Sequence, residues 1–264
     1  MVASDSPSAA NLNGEQRTRY QDLLGRLRSP CEGTQSLARA LAPAAPGCPR
    51  ARYAARTLAR RITDGTPDEE IVELHGKRWL ENHVFRFALE SAPFQGLPDA
   101  PMILVEFFDY GCYHCRLFSL MLDELLAEMP ADLVVYYKHY PLSSHPESLP
   151  AAMAAVAAQR QGRFFEMHSK LFADQGKHSD DALYRYAEEV GLDMKKFRSD
   201  LQSEAVHEQV KRDRTEGESA GVEGTPTLYV NGRLYSDPLS FPDLVDWIEE
   251  ELAIRSGVGE TTGG

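Results

Sequence analysis

At 264 residues the chain is long enough for one large domain or two smaller ones, each with a real core. Hydrophobic residues at 42% and charged residues at 26% are the balance of an ordinary soluble globular protein. The formal net charge of −12, from 28 Lys and Arg against 40 Asp and Glu, argues against nucleic acid as a partner.

The start, MVASDSPSAANLNGEQ, lacks the charged-then-apolar design of a secretory signal. Residues 1–13 read as a disordered lead-in and 256–264 as a disordered tail. Residues 14–80 read as a small all-α region. Its most basic stretch, ARTLARR at 55–61, fits the wet face of a helix. In TPDEEIVELHGKRW, Thr66 as N-cap, Pro67 at the first helical position and Glu69 form a capping box. SAPFQGLPDAP, rich in Pro and Gly, reads as the linker into a second domain spanning 81–255. No apolar run reaches the roughly 18–20 residues that cross a bilayer, so membrane insertion is not expected.

The periodicity then changes. PMILVEFF (101–108) is a continuous apolar run, as in a strand covered on both faces. A turn at Asp109–Gly111 leads into the helical pattern CRLFSLMLDELLAEM, and DLVVYYKHYPL (132–142) is a second strand. Helical patterns fill about 147–214. TPTLYVNGRLY (225–235) reads as a hairpin turning at Asn231-Gly232, and FPDLVDWIEEELAI as a closing amphipathic helix. The order β-α-β, helical block, β-β-α describes an α/β sheet with helices on its faces and a helical insertion.

The chemistry concentrates in VEFFDYGCYHCRLF, residues 105–118. Cys112 falls where a buried strand turns into a helix, so unpaired N–H groups and the helix dipole favour an anion on its sulfur. A thiolate is such an anion and is the form that attacks disulfides. Cys115 follows one helical turn later, within reach of a disulfide with Cys112, and a protonated His114 adds positive charge. Stabilising the thiolate stabilises the reduced pair and makes its disulfide more oxidising. A zinc half-site needs a second close pair, which the distant Cys31 and Cys48 do not supply, so no metal or cofactor is called for. Buried structural thiols are the other alternative. GTPT at 224–227 adds Pro226 at the opening of a strand, where a cis Thr225-Pro226 bond would present the Thr225 backbone to an extended peptide.

FQGLPDAPMILVEFFDYGCYHC, YYKHYPL, AAMAAVAAQRQGRFFEMHSKLF, YAEEVGLD and GVEGTPTLYVNG resemble, in order and spacing, the DsbA-like thioredoxin-fold disulfide oxidoreductases over about 90–253. The resemblance implies a thioredoxin fold with an inserted helical subdomain. It implies Cys112 as the nucleophile, Cys115 as the resolving thiol, His114 as tuner, and Thr225 and Pro226 as a cis-proline loop facing them. Glu106 and Lys138 map to positions where together they would pass protons to and from Cys115. His139, His145 and His168 read as packing or surface residues. Tyr113 departs from the proline of the best-known members, which leaves the redox potential open.

LRSPCEGTQSLARALAP, with the following ARTLARRITDGTPDEEIVELHGKRW, faintly resembles the thiol domain of the CcmH proteins of cytochrome c maturation. Ser29 stands where those proteins carry their first cysteine, so that redox chemistry does not transfer. Cys31 is expected to bond Cys48 instead, closing a loop that contributes on the order of 3 kcal/mol. The sequence thus predicts a thiol–disulfide oxidoreductase, exported or periplasmic with its leader absent. It would act on reduced or misoxidised substrate proteins, foremost as an oxidase, and be reset by a membrane or soluble redox partner. The alternatives are an isomerase or reductase that uses the N-terminal helices as an oligomerisation arm, and a non-catalytic peptide-binding module.

Overall fold

The computed structural model describes residues 9–31, 33–43, 47–81 and 83–256; most of the predicted lead-in and tail lies outside them. The chain divides into two compact units, one of residues 1–83 with 235–264 and one of 84–234.

The first unit is helical. Where the lead-in reaches the described residues it is structured: a 3₁₀ turn at Ala9–Asn11, a buried Leu12, and Asn13 closing a capping box with Gln16. The helices are α1 (Gly14–Arg26), α2 (Leu37–Ala40), α3 (Pro49–Thr63), α4 (Asp68–His75), which runs on as a π turn at Gly76–Leu80, and a C-terminal helix, Phe241–Arg255. Leu23, Leu27, Leu37, Leu58, Ile62, Ile71 and Trp79 share one core. The capping box expected at Thr66 does not form. Pro67 is the cap, without a side-chain bond, and the Asp68–Glu70 carboxylates lie at the helix's positive end. Cys31 and Cys48 form the expected disulfide, joining the loop after α1 to the start of α3.

The basic stretch in α3 is not a wet face. Arg60 and Arg61 are buried, because the C-terminal helix brings the matching acids from more than 180 residues away. Arg61 grips Asp243 through two bonds of 3.1 and 2.7 Å, and Arg60 reaches Asp243 at 2.7 Å and Asp246 at 3.2 Å. Arg78 lies 2.5 Å from Asp237 and 2.6 Å from Glu250, between the Trp79 and Trp247 rings. Arg50 completes the cluster on Glu250 and Glu251. Sequence patterning placed the chain through 255 with the second domain; this charge pairing draws residues from Tyr235 onward into the first unit.

The second unit holds a five-stranded sheet in the order β1-β3-β2-β4-β5. Its strands are β1 (Phe94–Gly96), β2 (Met102–Phe108), β3 (Leu133–His139), β4 (Thr227–Val230) and β5 (Arg233–Leu234). β2 and β3 run parallel, joined by helix α5 (Tyr113–Glu128), as a parallel pair requires a crossover. β4 lies antiparallel against β2 and turns into β5 at Asn231 and Gly232, both with positive φ, as the Asn-Gly signal requires. β1 is an addition to the expected order: three residues of the predicted linker pair antiparallel with β3 at the sheet edge.

Five helices occupy the insertion: α6 (Ser148–Gln159), α7 (Phe164–Ala173), α8 (Asp180–Glu189), α9 (Met194–Leu201) and α10 (Glu204–Ala220). The C-terminal helix of the first unit is therefore α11. α6 is buried along most of its length, its alanines allowing close approach of the neighbouring helices. This is a thioredoxin fold with an inserted helical subdomain.

Removing one member of a buried ion cluster leaves charge uncompensated and costs about 3–5 kcal/mol. Arg78→Ala should therefore lower unfolding stability by about that much, read from urea midpoints, with Arg78→Lys losing less. A loss within about 0.5 kcal/mol, as at an ordinary surface site, would show that the network adds nothing.

Candidate active site

β2 is buried along its length except at Ile103, and its C-terminal end delivers Asp109, Tyr110 and Gly111 as the turn into α5. Cys112 is the N-cap of that helix, and both Cys112 and Cys115 are free thiols in buried positions. The Thr225-Pro226 peptide is cis, and the Thr225 carbonyl oxygen lies 3.2 Å from the Cys112 sulfur. Residues more than a hundred positions apart thus meet at one sulfur.

The two thiols differ sharply. A hydrogen bond from the Cys115 thiol, with the N–H groups of Cys115 and His114, outweighs burial and brings the Cys112 thiol down to about 5. Burial, the hydrogen bond its thiol donates to Cys112 and the charge of Glu106 push Cys115 far up. Its nearest backbone donor is the Asp109 N–H at 3.4 Å. His114 contributes through its backbone N–H; its ring is exposed and lies against Tyr113.

Glu106 is fully buried, and neither carboxylate oxygen has a hydrogen-bond partner among the described residues. Burial, with a smaller contribution from a Cys112 anion, pushes it up to about 8. Lys138 does not join it. Glu106 pairs in register with Tyr137, so Lys138 points from the opposite sheet face, where its Nζ meets Asp213 at 3.1 Å and Glu216 at 2.9 Å on α10.

Sequence reasoning missed the groups that hold the reactive turn. The Asp109 carboxylate is buried and accepts from the Gly111 N–H at 2.6 Å, the Leu142 N–H at 2.8 Å, the Ser148 hydroxyl, and His145 Nδ1 at 2.8 Å. Gln175 donates to the carbonyls of Tyr110 and Cys112, both at 2.9 Å. His145 was read as a packing or surface residue. His139 and His168 are core residues: burial brings each down to about 3, and His168 Nδ1 lies 3.0 Å from the Tyr110 hydroxyl. One signal was available for Asp109: a carboxylate at the end of an apolar run demands donors.

Residues 89–250 match the thioredoxin family. The chain belongs to it. A thioredoxin-like oxidoreductase from Silicibacter pomeroyi DSS-3 is 29% identical, with a TM-score of 0.56 over 61% of this chain and 91% of that one. The thiol-disulfide exchange protein alpha-DsbA2 from Wolbachia pipientis shares the fold at 22% identity and a TM-score of 0.55, over 61% and 87% of the two chains. The Na(+)/H(+) antiporter NhaA 1 of Mycobacterium sp. (strain KMS) is 37% identical over 158 residues, 59% of this chain and 26% of the antiporter. The chain therefore spans about a quarter of the length of that curated relative. No helix among the described residues is long and apolar enough to cross a membrane.

Two measurements check this electrostatic reading. In the reduced protein, iodoacetamide should alkylate Cys112 with a midpoint near pH 5 and leave Cys115 untouched below pH 9; a midpoint near that of a free thiol contradicts it. Glu106 keeps its proton to about pH 8 when folded but releases it near 4.5 when unfolded, so it costs stability progressively as pH rises through that window. Glu106→Leu should therefore raise the urea midpoint more at pH 8 than at pH 4, and an equal gain at both would refute the buried-acid assignment.

Proposed function

We propose that the chain is a thiol–disulfide oxidoreductase that passes the Cys112–Cys115 disulfide to substrate proteins, working as an oxidase in an exported compartment. The observation that carries this reading is the split between the two thiols at one strand-to-helix junction. Donors converge on Cys112, favouring its anion and hence the reduced pair, which makes the disulfide the better oxidant.

A substrate thiolate attacks Cys112 Sγ, the Cys112–Cys115 bond breaks, and Cys115 leaves with the electron pair. In this reading Glu106, protonated up to about pH 8, gives the departing Cys115 its proton. A second substrate thiolate then attacks the substrate sulfur of the mixed disulfide and displaces Cys112. The products are a substrate disulfide and the reduced pair, which a membrane or soluble redox partner reoxidises. Lys138, held by its own acids, has no part in the relay.

The surroundings suit an extended substrate chain. The Thr225 carbonyl flanks the reactive sulfur, and Tyr113, Leu117 and Leu120 stand exposed on one face of α5. The Cys31–Cys48 bond supports an oxidising compartment, since disulfides of this kind persist outside the cytosol.

With the oxidised protein and a reduced two-cysteine peptide, the wild type should form the peptide disulfide and Cys112→Ser should not. Cys115→Ala, given instead a preformed disulfide of a one-cysteine peptide, should accumulate a mixed disulfide through Cys112 as one peptide thiol is released. Retained oxidation by Cys112→Ser would refute the assignment; reshuffling of a scrambled protein without net oxidation would favour the isomerase instead.

A further inference from the structure

The turn that presents Cys112 is pinned from behind by one carboxylate. Asp109 Oδ1 takes the Gly111 N–H at 2.6 Å and the Ser148 hydroxyl, while Oδ2 takes the Leu142 N–H at 2.8 Å and His145 Nδ1 at 2.8 Å. Four donors on two oxygens satisfy a buried carboxylate. They come from three places in the chain: the turn itself, the loop after β3, and the first residue of α6. Ser148 binds twice, since its Oγ also accepts from the Gly111 N–H at 3.1 Å. The packing there leaves no slack. A Cβ on Gly111 would stand 2.6 Å from Ser148 Oγ and 2.7 Å from His145 Cβ.

We propose that Asp109 is the positioning residue of the reactive turn, clamping Gly111 onto the start of the helical insertion so that the donors around Cys112 converge on its sulfur. Asp109 does not touch the reacting atoms through its carboxylate; it acts through Gly111, one residue before the nucleophile. Its backbone also helps directly, the Asp109 N–H lying 3.4 Å from Cys115 Sγ. The insertion thus becomes part of the machinery, because without its Ser148 and the neighbouring His145 the carboxylate loses two of its four donors. The titratable groups that face the Cys112 sulfur are Cys115 and Glu106, and His145 is the one that faces Asp109.

The inference rests on the proposed role of Cys112, and its test separates the two. Asp109→Asn keeps the size of the side chain but sets an NH₂ group against at least one of the four donors. The readout is the pH profile of Cys112 alkylation in the folded, reduced protein. If positioning dominates, the midpoint rises by about one pH unit, so alkylation at pH 4 slows about tenfold. If Asp109 acted only through its charge, removing that charge would ease thiolate formation and lower the midpoint. A lowered or unchanged midpoint overturns the proposal. Should Asp109→Asn fail to fold, Ser148→Ala and His145→Ala each remove one donor and leave the carboxylate in place. A rise in either supports the clamp, and no rise in both overturns it. A wild type without low-pH reactivity would instead defeat the role of Cys112 itself.

Discussion

One sulfur collects the larger share of the hydrogen-bond donors and its neighbour three residues on sits deeper with fewer, and the arrangement of the second unit keeps them so. Cys112 sits at the open end of α5, where N–H groups have no carbonyl partner of their own. Cys115, one turn deeper, has burial and a buried acid as its main surroundings. The same helix therefore offers an anion a good home at its cap and a poor one inside. The cis-proline segment, which leads into β4 beside β2, brings the Thr225 carbonyl to 3.2 Å from the Cys112 sulfur, where it accepts from the thiol.

Burying polar groups around such a site is costly unless each finds a partner, and the protein treats its acids differently. Asp109 receives four donors and stays a satisfied anchor. Glu106, two strand residues before the end of β2, receives none among the described residues and keeps a proton to about pH 8 instead. Asp213 takes the opposite sheet face and is matched with Lys138. Three carboxylates at similar depth thus have three fates, set by what the local backbone and neighbours donate. The aromatic core beneath Tyr110 follows the same logic, since His139 and His168 sit among Phe108, Phe164 and Phe172 as neutral rings.

In the first unit charge does what a larger apolar core does elsewhere. α3 contributes arginines, α11 contributes carboxylates, and each guanidinium fork meets more than one oxygen. Arg78, sandwiched between two indoles, gains cation–π contacts as well as two ion pairs. Such a cluster offsets its desolvation only while all members are present, so the two ends of the chain depend on each other. The Cys31–Cys48 bond fixes the α1–α3 connection independently of that charge.

What the sequence disclosed and what it hid divide along the range of the signal. The strand–CxxC–helix junction, the Asn231-Gly232 hairpin and the alanine-rich α6 are local, written in adjacent residues with a steric or hydrogen-bonding reason for each. Arg60 and Arg61 looked solvated because their partners, Asp243 and Asp246, lie in another helix at the other end of the chain. β1 stayed hidden because three residues between prolines carry no period, and its pairing with β3 alone makes it a strand. Lys138 misled for a related reason. Adjacent strands align Glu106 with Tyr137 rather than with its neighbour, and a shift of one residue moves a side chain to the other face. Register belongs to the sheet and not to either strand, so no reading of β2 or β3 separately assigns the partner of Glu106.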